Sequence, residues 1–200
     1  PGMGKDLYQG FETAREIFDQ ANDILDYDLV RIAFKDPDDQ IGLTRYTQPI
    51  LLTHQIACLR VFQEFTGSKI TPVLSAGHSL GEYTALIIAG VLSFEDGLKL
   101  VSKRGELMGQ HGQGSMLALP LTRDDAQLIA ENNGCQIATL NLPQQTVVGG
   151  KDPDIESLES AFTKLYPRKR AVKLDTEGAF HTDLMETAAL AFMATLEQTS

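Results

Sequence analysis

Apolar residues first recur at helical spacing at Phe11, Ala14, Phe18, Ala21 and Leu25, which predicts an amphipathic helix after the glycine-rich opening PGMGKDLYQG. An acidic turn, KDPDDQ, separates it from a second helix. That helix starts at Arg45-Tyr46-Thr47-Gln48-Pro49, where proline suits a first turn, and runs through ILLTHQIACLRVFQEF to Gly67. Between Pro72 and Gly90 the pattern shortens to PVLSAGHSLGEYTALIIAG, predicting a strand from Val73 to Ala76, a tight turn and a helix from Leu80 to Ala89 stopped by Gly90. Ser93 with Asp96 forms a capping box opening a helix from Phe94 to Met108. Beyond it the chain alternates differently. Strands are expected over Met116 to Leu119, Gln136 to Leu140, Thr146 to Val148 and Arg168 to Leu174, with helices over Asp124 to Glu131 and Pro153 to Leu165. That β-α-β-β-α-β order predicts a ferredoxin-like subdomain, residues 114–174, inserted into a larger α/β domain formed by residues 1–113 and 175–200. A last helix is expected through DLMETAALAFMATLEQ.

Composition narrows the possible functions. Two hundred residues with 42% hydrophobic content can bury a core, which argues against disorder. A net charge of −10 argues against nucleic acid and membrane surfaces as general partners. No stretch reaches membrane-spanning length and no signal-peptide pattern is visible, so a cytoplasmic location is expected. Cys58 and Cys135 lie far apart in apolar runs and read as reduced core residues. With four histidines and two cysteines, none at ligand spacing, no metal site and no bound cofactor are expected.

Chemistry concentrates at the pentapeptide Gly77-His78-Ser79-Leu80-Gly81. A serine between a predicted strand and a predicted helix is the context of a nucleophile elbow, where Gly77 and Gly81 would let the two elements approach. The Leu80 amide would face a developing oxyanion. Arg104 falls inside an apolar arc formed by Phe94, Leu98, Leu100, Val101, Gly105, Leu107 and Met108. A guanidinium there demands an anion, either an acidic side chain of this chain or a carboxylate on a substrate. His181 lies at a strand-to-helix junction, where open α/β sheets gather their chemistry, and is a candidate base for Ser79; a capping or packing role is the alternative. His54, inside a helix, reads as packing, His111 as solvated, and His78 as pointing away from the serine hydroxyl. Lys164, Arg168, Lys169, Arg170 and Lys173 form a basic cluster in an acidic chain, read either as a solvated helix end with a guarded edge strand or as a dock for an acidic macromolecule.

Several stretches together resemble the malonyl-CoA:acyl carrier protein transacylase family: RYTQPILLTHQIA, GHSLGEYTALIIAGVLSFEDGLKLV, KRGELM, GSMLAL, the Asn141 to Gly149 run and GAFHTDLM. The resemblance implies an α/β hydrolase-like core with a ferredoxin-like subdomain. It also implies transfer of malonyl from malonyl-CoA to the phosphopantetheine thiol of an acyl carrier protein, with Ser79 as nucleophile and His181 as base. In that scheme Arg104 grips the malonyl carboxylate, Leu80 supplies an oxyanion donor, Met108 lines the acyl pocket and Phe180 crowds an α-methyl group. The Lys164 to Lys173 cluster becomes the carrier dock. Three departures stand out. The family's opening strand and Gly-Gln-Gly loop would precede Pro1, and its C-terminal segment, including the carbonyl that orients the histidine, would follow Ser200. These parts of the usual fold therefore look missing, and weak activity or none is expected of the isolated chain. Thr139 also stands where the family usually has asparagine. An acyl hydrolase acting on carrier-bound groups would share Ser79 and His181 but have no use for Arg104, and a non-catalytic carrier-docking module is the remaining alternative.

Overall fold

A computed structural model describes residues 1–67, 70 and 72–199. By contacts the chain forms two compact units, one comprising Pro1–Glu106 and the residues from Thr195, the other Leu107–Ala194.

The first unit is helical. Its core is built where α2 (Glu12–Ile24) buries Ala14, Phe18 and Ala21 against α4 (Thr44–Thr66), which contributes Ile50, Leu52, Ala57 and Val61. Two six-residue helices, α1 (Lys5–Gly10) and α3 (Leu29–Phe34), are too short to show a period in the sequence. The second becomes visible through its cap, the Asp28 carboxylate accepting the Arg31 N–H at 2.8 Å. α5 (Gly81–Ile88) and α6 (Phe94–His111) follow, and Leu80, Leu98 and Val101 close the core. The capping box forms as expected, with the Asp96 N–H donating to Ser93 Oγ at 3.0 Å.

Two expectations fail here. The run from Val73 to Ala76 forms no strand: its backbone joins no ladder, and Val73 and Leu74 are 94% and 89% exposed. An apolar run becomes a strand only when a neighbour supplies hydrogen bonds, and this one is paired with none of the described strands. Cys58 is exposed on α4, because the helix turns it away from the face that carries Ile56, Ala57 and Val61; only Cys135 is a core cysteine.

The second unit carries a four-stranded sheet. Its elements run β1 (Ser115–Leu119), α7 (Arg123–Glu131), β2 (Gln136–Leu142), β3 (Gln145–Gly150), α8 (Asp152–Leu165) and β4 (Val172–Lys173). The strands lie in the order β2-β3-β1-β4 with all neighbours antiparallel. Leu117 and Val148, paired across β1 and β3, join Leu119, Ile129, Ile155, Leu158 and Phe162 in a core between sheet and helices. β4 is shorter than the expected Arg168 to Leu174. Residues 168–170 are exposed cations, and the Lys169 ammonium donates to the Pro120 carbonyl at 3.0 Å, so a side chain ties this stretch down where a ladder was expected. After a 3-10 turn at Asp183–Met185 the chain ends in α9 (Glu186–Glu197). Among the described residues no helix is long and apolar enough to cross a membrane.

Candidate active site

Ser79 occupies the left-handed region with φ +52°, a conformation that a non-glycine side chain adopts only where its surroundings hold it. Its surroundings do so through backbone bonds on either side. The Gly81 N–H donates to the His78 carbonyl at 2.9 Å and the Glu82 N–H to the Ser79 carbonyl at 3.2 Å, winding the turn directly into α5. Gly77 is indispensable to this geometry, because a Cβ there would lie 1.9 Å from the Gly81 carbonyl carbon. Gly81 differs from expectation: a Cβ on it would meet nothing within 4 Å. The close approach needs space at Gly77 alone, since the Gly81 backbone is what occupies it. Leu80, buried, caps α5, so the positive end of that helix stands behind the serine.

Arg104 reaches this turn from α6. Its Nη2 donates to Ser79 Oγ at 3.1 Å, and its Nη1 to the side-chain oxygen of Gln48, a buried residue of α4. The two helices come close because position 105 is glycine: a Cβ there would sit 2.7 Å from the Thr44 carbonyl oxygen. The Tyr83 ring completes the setting, its centroid 5.8 Å from the guanidinium carbon. Burial lowers the Arg104 pKa from its ordinary value, yet arginine stays protonated in such settings. The same burial raises the Tyr83 phenol, a shift that Arg104 opposes. The guanidinium is therefore a charged fork aimed at the serine, resting on two neutral oxygens. Gln48 and Tyr83 were not singled out from the sequence. A glutamine within an apolar helical run was the sign of Gln48 in the sequence, and Tyr83 left none.

His181, Phe180 and Met108 belong to the second unit. His181 is exposed and also left-handed, with φ +63°. Ahead of it the Ala179 N–H donates to the Gln113 carbonyl at 2.8 Å. After it Thr182 Oγ1 donates to the Ala179 carbonyl at 2.6 Å and accepts the Leu184 N–H at 3.3 Å. Phe180 packs against an apolar group formed by Leu107, Met108, Met185 and Ala188. Of the other histidines, His54 lies 3.6 Å from Cys58 Sγ on α4, and His78 gives its carbonyl to the Ser79 turn while its side chain is exposed. All five residues of the basic cluster are exposed, and Lys169 combines its bond to Pro120 with a position over the Tyr166 ring, 5.3 Å from its centroid. Among the described residues no group of three His, Cys, Asp or Glu side chains is placed to hold a metal ion.

Comparison with known proteins places this geometry in context. The acyl transferase domain family matches residues 1–200. A curated relative, the malonyl CoA-acyl carrier protein transacylase of Bacillus subtilis, is 41% identical over 197 residues, which are 94% of this chain and 61% of that protein. The solved malonyl CoA-acyl carrier protein transacylase of Coxiella burnetii superposes with a TM-score of 0.92 at 32% identity, over 100% of this chain and 65% of the other. A second solved structure, a malonyl-transacylase in complex with its type II PKS acyl carrier protein, gives a TM-score of 0.91 at 32% identity, over 100% of this chain and 66% of the other. The chain thus spans about three fifths of the length of its Bacillus relative.

Proposed function

The chain belongs to the acyl transferase domain family, and on that premise we propose that it carries the Ser79 and Arg104 centre of a cytoplasmic malonyl-CoA:acyl carrier protein transacylase. The observation that carries the reading is the 3.1 Å approach of the Arg104 guanidinium to Ser79 Oγ. In an ester on that oxygen, the far carboxylate carbon of a three-carbon diacid lies roughly 4 Å away by standard bond lengths. A malonyl group therefore puts its carboxylate within the arginine fork, where charged bidentate bonds replace those to neutral oxygens. An acetyl group has nothing to offer there. A hydrolase of broad acyl scope would gain nothing from the half-buried cation.

The reaction proceeds in two halves. Ser79 Oγ gives its proton to His181 and attacks the thioester carbonyl of malonyl-CoA, and the oxyanion is met by the Leu80 N–H at the start of α5. The carbon–sulfur bond breaks, and coenzyme A leaves as a thiol with the proton that His181 returns. The phosphopantetheine thiol of an acyl carrier protein then repeats the sequence against the malonyl-serine ester, taking the acyl group and restoring the serine. His181 is the base in both directions and uses no metal or bound cofactor. Phe180 and Met108 line the acyl pocket, and Phe180 disfavours an α-methyl group by about 1–3 kcal/mol, so malonyl is preferred over methylmalonyl. Lys164, Arg168, Lys169, Arg170 and Lys173 form the carrier dock, within which Lys169 is already tied to Pro120. The β2-β3-β1-β4 order with β-α-β-β-α-β connectivity supports a ferredoxin-like subdomain over 114–174, set into a hydrolase-like core of 1–113 and 175–200. The carrier serves fatty-acid or polyketide synthesis.

The test is substrate competition in the full-length protein. Arg104→Ala is expected to lower loading of malonyl about 100-fold, the order of a lost charged hydrogen-bonded pair, and to raise loading of acetyl relative to it. Unchanged selectivity between malonyl and acetyl would exclude Arg104 as the carboxylate receptor.

A further inference from the structure

The geometry points to Gln136 as a positioning residue for His181, acting through Asp183; this rests on the reading of His181 as the general base. Gln136 opens β2, and both ends of its amide are engaged. Nε2 donates to the Asp183 carboxylate at 2.8 Å, and Oε1 accepts the Asp183 backbone N–H at 3.0 Å. One planar amide thus holds a side chain and a backbone group of the residue two positions after His181, which fixes Asp183 in orientation as well as in distance.

The sheet also supports the turn from beneath. At Gly149, near the end of β3, a Cβ would lie 2.8 Å from Thr182 Cγ2 and 3.2 Å from Ala179 Cβ, so the His181 turn rests directly on the strand. On the preceding side the Ala179 N–H is tied to the Gln113 carbonyl. His181, left-handed at φ +63°, therefore stands between two anchors, and Gln136 supplies the one that follows it. The Thr182 bond to the Ala179 carbonyl closes the turn on itself, whereas the Gln136 amide ties the turn to the sheet. A base must meet its proton within hydrogen-bond reach, and a displacement of about 1 Å can cost on the order of 100-fold in rate. Freeing Asp183 removes the anchor that keeps the imidazole in register.

The pair allows a test by reversal. In Gln136→Glu a carboxylate faces the Asp183 carboxylate, and one of the two bonds becomes a repulsion. Combining it with Asp183→Asn restores both bonds, with donor and acceptor exchanged in the side-chain bond alone, since the new carboxylate accepts from the same backbone N–H and from the asparagine amide. In the full-length protein, Gln136→Glu is expected to lower kcat for malonyl transfer roughly 10-fold while KM for malonyl-CoA stays within about 2-fold. The double variant should recover to within about 3-fold of wild type, with thermal midpoints unchanged throughout because both side chains are exposed. An unaltered kcat in Gln136→Glu, or a double variant as slow as the single one, would overturn the assignment. His181→Ala is measured alongside. If it retains the wild-type rate, the general-base reading fails and the clamp with it; if it is inactive while Gln136→Glu is unaffected, the clamp alone fails.

Discussion

The two glycines of Gly77-His78-Ser79-Leu80-Gly81 look equivalent in the sequence and are not equivalent in the fold. A methyl group at Gly77 would run into the Gly81 carbonyl carbon at 1.9 Å, whereas one at Gly81 meets nothing within 4 Å. Gly77→Ala is therefore expected to destabilise the full-length protein by about 3 kcal/mol, in the range of backbone-displacing overpacking. Gly81→Ala should be neutral, or stabilise by about 0.5–1 kcal/mol by restricting the unfolded chain. Chemical denaturation of the two variants checks this, and equal destabilisation would contradict the described turn. Residues whose chemistry is rare in their surroundings were legible in the sequence: a serine in a tight turn, an arginine on an apolar arc, a histidine where a strand pattern gives way to a helix. Gln48, Gln136 and Asp183 were not. Each is bonded through its side chain to a partner about fifty positions away, and which partner it meets is decided by helix crossing and strand placement.

Elements were legible in proportion to their length and their self-sufficiency. α4, α6 and the β-α-β-β-α-β succession carry their period or their turn residues within their own residues, so their existence and order follow from the sequence. The Val73 to Ala76 run shows the limit, since apolar residues specify a strand only together with the neighbour that pairs with them. Cys58 shows another, because an apolar window does not say which side of a helix is buried. The same stretch of α4 holds His54, whose burial keeps its imidazole below its ordinary value of 6.5, partly offset by Asp6. As pH falls through about 6.5 the unfolded chain binds a proton here before the folded one does. The stabilising contribution is thus complete above that value and is lost as pH falls toward the folded pKa. The unfolding free energy should fall less steeply between about pH 7 and pH 5 in His54→Gln than in wild type. Parallel profiles would show that His54 is not held neutral by the fold.

At the scale of the whole molecule, chemistry is divided between segments distant in the chain, with the serine and arginine in one compact unit and the histidine in the other. With a net charge of −10 the chain repels an acidic partner at long range, so the carrier dock proposed at the cations of the 164–173 segment must act locally. The central claim is that Ser79 becomes a covalent malonyl ester under the control of Arg104. Intact mass measurement of the full-length protein after brief exposure to malonyl-CoA tests it most directly. The expected result is an added malonyl group that is absent from Ser79→Ala and that is discharged by a carrier protein bearing phosphopantetheine. Release of free malonate without transfer to the carrier would identify a hydrolase, and an adduct that persists in Ser79→Ala would contradict the account outright.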